Sequence, residues 1–144
     1  MDIKDLVQLE DLPIPITVVP KNVYIISESD LQGNITYAND EFIGISGYTR
    51  EELIGSPHSI IRSEYMPDDV FREIWVTIKQ GRTYRGLILN KRKDGVHYVV
   101  YVRIAPIYKH NAIVGYKSIR QYAEPYEIKE LILKLTEGKL NNNN

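Results

Sequence analysis

Ile35-Thr36-Tyr37-Ala38-Asn39-Asp40-Glu41-Phe42, continued by Gly47-Tyr48-Thr49-Arg50-Glu51-Glu52-Leu53-Ile54-Gly55, is the stretch whose reading decides the fold. Ile35 to Ala38 has strand character, and the turn signal Gln32-Gly33-Asn34 precedes it. Before that turn, Val23, Tyr24, Ile25 and Ile26 predict another strand between Asn22 and Ser29, so the two read as a hairpin. Asn39 or Asp40 is placed to cap a short helix through Ile45, with Gly47 as its stop. Thr49 and Glu52 are spaced as a capping box, in which the hydroxyl accepts from one free amide and the carboxylate reaches back to another. Gly55 and Pro57 end that helix, and His58 to Arg62 reads as one more helical turn.

Downstream, Pro67-Asp68-Asp69 opens the clearest helix: proline suits a first turn, and carboxylates complement the positive end of the dipole. Val70, Phe71, Ile74, Trp75 and Ile78 make its apolar stripe, and Gly81 supplies the stop. Three long strands follow, about Thr83 to Arg92, Val96 to Tyr108 and Ala112 to Tyr122, turned at Lys93-Asp94-Gly95 and His110-Asn111. Upstream, Ile3, Leu6, Val7 and Leu12 predict a short amphipathic helix, and Pro13, Pro15 and Pro20 an extended linker. At the far end, Ile128, Leu131, Ile132 and Leu135 predict a helix from about Tyr126 to Thr136, ended by Gly138 before a frayed asparagine tail. The division is an N-terminal helix and linker over 1–21, one domain over 22–123, and a C-terminal helix and disordered tail over 124–144. The order of elements predicts an α+β fold with an antiparallel sheet and helices on one face.

The 144 residues suit one domain, and 43% hydrophobic with 26% charged residues is an ordinary globular balance. A formal net charge of -1 gives no global field to recruit nucleic acid or an anionic membrane. The absence of cysteine excludes disulfides, thiolate metal sites and cysteine nucleophiles. No apolar run approaches the ~18 residues that span a bilayer, so direct membrane insertion is not expected and a cytoplasmic location is the default expectation.

Enzyme signatures are missing: there is no nucleophile elbow, phosphate-cradling loop or zinc-protease helix, and the chain is not expected to be an enzyme. Glu51-Glu52 and Asp68-Asp69 are explained as first-turn carboxylates. His58, His97 and His110 have no metal-ligand spacing. Lys91-Arg92-Lys93 is a solvated hairpin end, too local for nucleic-acid binding.

On the third strand, alternation puts Tyr84, Gly86, Ile88 and Asn90 on one side. Asn90 offers one acceptor and two donors, the set that a polar heterocycle edge requires. Arg62, after the apolar pair Ile60-Ile61, has a guanidinium suited to a carbonyl or a pyrophosphate oxygen. Trp75 and Phe71 read as core.

Taken together, Ile35 to Phe42, Gly47 to Gly55, Lys91-Arg92-Lys93-Asp94-Gly95 and Gly115-Tyr116-Lys117-Ser118-Ile119-Arg120 resemble, in this order, a PAS sensory domain. They are most similar to the PAS domain of bacterial aerotaxis receptors, a family that holds FAD and reads cellular redox state. The resemblance covers about residues 23–122. It implies a five-stranded antiparallel sheet in the order 2-1-5-4-3, with short helices on one face enclosing a ligand cavity. It also implies FAD as cofactor, with Asn90, Arg62, Tyr84, His58, Trp75 and Ile88 as the candidate cofactor-binding residues. Tyr84 stands where the family has tryptophan, and Asn90 and Arg62 match residues that contact flavin in the family.

The sequence departs from that pattern at Ser63 and Tyr65, where the family has histidine and aspartate, and Val100 replaces a second flavin-contacting asparagine of the related LOV photoreceptors. His58 occupies the LOV cysteine position, so no cysteinyl photoadduct can form. The expected function is a flavin-based redox or energy sensor acting through a signalling partner or separate transducer, as a homodimer. The alternatives are a ligand-free interaction module, a sensor of a colourless small ligand, and a heme sensor ligated unusually by His58.

Overall fold

The computed structural model describes residues 9–142, with side chains through 137. The predicted stripe at Ile3, Leu6 and Val7 lies outside the described residues. The chain forms β1 (Ile25–Ser29), β2 (Ile35–Ala38), α1 (Asp40–Ser46), α2 (Arg50–Leu53), a 3-10 turn (His58–Ile61), α3 (Asp68–Lys79), β3 (Tyr84–Lys91), β4 (His97–Lys109), β5 (Ala112–Gln121) and α4 (Pro125–Asn142). The five strands make one antiparallel sheet in the order β2-β1-β5-β4-β3, as the resemblance implied.

Local chemistry sets the boundaries. Asn39, rather than Asp40, caps α1: its Oδ1 accepts from Phe42 N and Ile26 N, both at 3.0 Å, and its Nδ2 donates to Tyr24 O at 2.9 Å. One side chain thereby stitches the helix start to β1. Thr49 and Glu52 form the complete capping box. In the first hairpin, Asp30 Oδ1 accepts from Gln32 N and Asn34 N, each at 2.9 Å, and Gly33 takes a φ of 90°. A Cβ on Gly33 would stand 2.9 Å from the Trp75 ring, so the bare glycine also lets α3 approach the hairpin.

Two boundaries differ from expectation. β1 begins at Ile25 rather than Asn22, because Val23 N donates to Pro20 O and closes a turn there. α4 runs through Gly138 to Asn142 instead of stopping at the glycine. A glycine inside a helix costs only about 1 kcal/mol and is tolerated when the hydrogen-bond ladder continues.

Alternation gives the sheet two different faces. The inner face carries Ile25 and Ser27 of β1, Ile88 and Asn90 of β3, Val100 and Val102 of β4, and Tyr116, Ser118 and Arg120 of β5, all buried. Buried Phe42, Leu53, Ile61, Ile74 and Ile78 from the helical side complete this half of the core. Burying such apolar surface contributes roughly 25 cal/mol per Å². On the outer side, buried Leu89 and Val99 from the sheet, Leu12 and Ile14 from the N-terminal segment, and Ile128 and Ile132 from α4 belong to the same core.

Candidate ligand cavity

Between α3, the 3-10 turn and the inner sheet face lies a cavity of about 280 Å³. Its walls are mainly apolar: Ile61, Phe71, Ile74, Trp75, Ile78, Ile88, Val102 and Ile104. Trp75 is held edge-on against Tyr116, with ring centroids 5.6 Å apart. A flat apolar molecule fits such a slot, and the polar groups at its edges decide orientation.

The polar end is built from Arg120, His58, Ser118 and Asn90. Arg120 is 4% exposed. Its Nη2 donates to Ser27 Oγ at 3.0 Å and lies 3.3 Å from His58 Nδ1, while Nη1 meets no partner. No carboxylate pairs with it among the described residues. Burial pulls its pKa down to about 10, so it remains a cation at neutral pH.

His58 Nε2 lies 3.0 Å from Ser27 Oγ, and the ring stacks against Phe42. Burial, and then the charge of Arg120, push its pKa down to about 3, so the imidazole is neutral. Tyr98 is fully buried and its hydroxyl faces Asn90 without a satisfied hydrogen bond; burial pushes its pKa up to about 12. The cavity therefore has a fixed positive end whose buried donors are incompletely used.

Arg62 stands at the mouth. Its backbone bridges to Asn90, its Nη2 is ion-paired with Asp68, and its guanidinium lies 3.9 Å over the Phe71 ring. It also borders an adjoining polar depression lined by Ser59, Ser63, Glu64, Met66 and Lys91.

Five of the six expected site residues, Asn90, Arg62, His58, Trp75 and Ile88, thus line one cavity. Tyr84 does not: its hydroxyl folds back over Gly86, 3.1 Å from where a Cβ would stand, and it faces Glu73 of α3. The departures from the family pattern do not line this cavity either, although Val100 is buried on the inner sheet face. Ser63 Oγ accepts from Tyr65 N at 3.2 Å, the Tyr65 ring meets His97 edge-on, and Glu64 pairs with Lys91 at 3.0 Å. Sequence reasoning missed Arg120, although alternation from Tyr116 through Ser118 placed it on one face of an apolar strand.

The donor set can be tested against two cofactors. Both nitrogens of His58, the histidine on the cavity wall, are engaged, by Ser27 and by Arg120, so His58 is not free for axial ligation and the cavity does not suit heme. The lining suits a flavin ring: Arg120 and the Asn90 amide would supply polar partners for an electron-rich edge, and the apolar walls would cover the rest.

Comparisons with known proteins converge on one family. The family described as PAS domain matches residues 21–119. The chain is 41% identical over 112 residues to the aerotaxis receptor of Escherichia coli (strain K12), covering 78% of this chain and 22% of the receptor. It is 33% identical over 91 residues to the nitrogen fixation regulatory protein of Klebsiella pneumoniae, covering 63% of this chain and 18% of that protein. Among solved structures, the PAS domain of a Colwellia psychrerythraea protein superposes with a TM-score of 0.64 at 27% identity, covering 69% of this chain and 86% of that one. The chain spans about a fifth of the length of these two curated relatives.

Proposed function

The chain belongs to the PAS-domain family, and from that footing we propose that it is a redox or energy-state sensor of aerotaxis type that holds FAD and reports to a protein partner. The observation that carries this reading is the buried Arg120 cation, without an acid partner among the described residues and with an unused Nη1, at the polar end of a mainly apolar cavity. An uncompensated buried charge is costly, and an electron-rich ligand edge relieves that cost. A flavin supplies reversible reduction, with gain of charge and protons at its polar edge. Arg120 orients that edge and favours its negative form. Asn90 presents either a donor or an acceptor to it by turning its amide. Neutral His58 holds its proton on Nε2 against Ser27 and keeps the Arg120 guanidinium in place. Any change in these contacts passes directly into β1 and β5, the strands that carry Ser27 and Arg120.

In this reading the chain is a sensor rather than an enzyme, works in the cytoplasm, and acts as a homodimer on a signalling protein or separate transducer. No helix among the described residues is long and apolar enough to cross a membrane. A second reading, a colourless-ligand or ligand-free interaction module, is favoured by Ser63 and Tyr65, whose side chains are spent on local contacts.

The test is a potentiometric titration of the FAD-reconstituted protein and of its Arg120→Met variant. Removal of the buried cation is expected to lower the midpoint by roughly 30 mV or more, which for a two-electron couple corresponds to about 1.4 kcal/mol. An unchanged midpoint with full occupancy takes Arg120 out of the mechanism.

A further inference from the structure

We propose that His97 is an acid-sensitive latch: while its ring is neutral it holds residues 12–17 against the sheet, and acidification loosens them. That segment is tied to the sheet through this one residue. His97 N donates to Pro15 O at 2.9 Å, Thr17 N donates to His97 O at 2.8 Å, and Ile16 bridges His97 in parallel. Pro13 and Pro15 have no N–H to add further bonds. Leu12 and Ile14 are buried in the core, so the segment is an ordered cover over the start of β4.

The ring shares in that burial. His97 is 4% exposed, and neither ring nitrogen meets a hydrogen-bond partner among the described residues. Glu64 Oε2 stands 3.9 Å from Nε2, and the Tyr65 ring meets the imidazole edge-on. Lys91, directly opposite on β3, holds that same Glu64 oxygen at 3.0 Å. Arg92 and Asp94 of the hairpin pair with each other, α4 brings the buried Lys129 to its packing against β3, and residues 12–17 bring no titratable group. An imidazolium here has one carboxylate within reach, already shared with a cation.

Burial therefore holds the His97 pKa below its ordinary value, against the pull of Glu64. Opened to water, the ring takes its proton near 6.5. Below that pH the open form binds a proton that the closed form refuses. Opening gains up to about tenfold per pH unit until the closed-state pKa is reached. His58 does not share in this: it lies on the cavity side and stays neutral down to about 3. The proposal stands whether or not a flavin fills the cavity.

The experiment is amide hydrogen exchange of the ¹⁵N-labelled full chain at about pH 7.5 and about pH 5.5, corrected for intrinsic exchange rates. Expected is a loss of about tenfold in the protection of Thr17 N–H at the lower pH. In His97→Phe, which keeps a buried ring without a titrating nitrogen, Thr17 protection should be the same at both pH values. Lys91→Met changes a half-exposed side chain and should fold even where His97→Phe does not. It frees Glu64 for the imidazolium and should shrink the loss. His58→Gln should leave the loss intact, because opening the segment does not uncover the cavity. Equal protection of Thr17 at both pH values in the parent, the same loss in His97→Phe, or a loss unaltered by Lys91→Met would overturn the proposal. So would a loss that His58→Gln reduces, which makes the segment open only when the whole domain unfolds.

Discussion

Arg120 Nη2 lies 3.3 Å from His58 Nδ1, and that contact sets the tautomer of the imidazole, which burial keeps neutral. A guanidinium only donates, so Nδ1 must accept, and the ring proton sits on Nε2, which donates to Ser27 Oγ at 3.0 Å. The cluster thus has one charge, on Arg120, and one defined tautomer, on His58. Ring-nitrogen NMR shifts should show the Nε2–H tautomer with no titration of His58 above about pH 5. A midpoint near the ordinary histidine value would contradict the arrangement.

Stability should fall with acid, and the sign follows from His58. Unfolded, it takes its proton near 6.5; folded, only near 3. Between those values the unfolded state binds more protons, so stability is lost as pH falls below 6.5. One such proton contributes a slope of up to about 1.4 kcal/mol per pH unit. His97, lowered mainly by burial, acts in the same direction. In urea melts between pH 5 and 6.5, His58→Gln should have a shallower pH dependence than the parent; identical slopes would remove His58 as the cause.

Asn39 ties α1 to β1 with three hydrogen bonds from one side chain. Asn39→Ala loses an N-cap and leaves the Ile26 amide and the Tyr24 carbonyl without this partner. A loss of about 2–3 kcal/mol is expected from chemical denaturation. A loss below about 0.5 kcal/mol would mean that water replaces all three contacts.

At the cavity mouth, Asp68 holds Arg62 in an exposed ion pair. Such pairs contribute little, so Asp68→Asn should leave stability within about 0.5 kcal/mol of the parent. The same change frees Arg62 to reach a pyrophosphate, and FAD affinity in a calorimetric titration should rise severalfold while riboflavin affinity stays constant. Equal effects on both ligands would place Arg62 away from the phosphates.

Much of the fold was legible because local signals agreed with one another. The Gln32-Gly33-Asn34 turn, the Thr49–Glu52 capping box and the Pro67-Asp68-Asp69 start lie where the periodic segments change, and each forms as its chemistry predicts. What pattern alone could not supply was depth. Alternation placed Tyr84 with Ile88 and Asn90, but not that its ring would turn back over Gly86. It equally placed Arg120 beside Ser118, but a charged residue near a strand end reads as solvent-facing until the sheet shows which side is enclosed. Gly138 marked a helix end by propensity, and the continuing helix overrode it.

The most direct test of the central claim is the absorption spectrum of freshly purified protein, with mass spectrometry of whatever denaturation releases. The account predicts a flavin spectrum and released FAD, both diminished in Asn90→Leu. A colourless protein that also fails to take up FAD on reconstitution would contradict it and leave the colourless-ligand or interaction-module reading in its place.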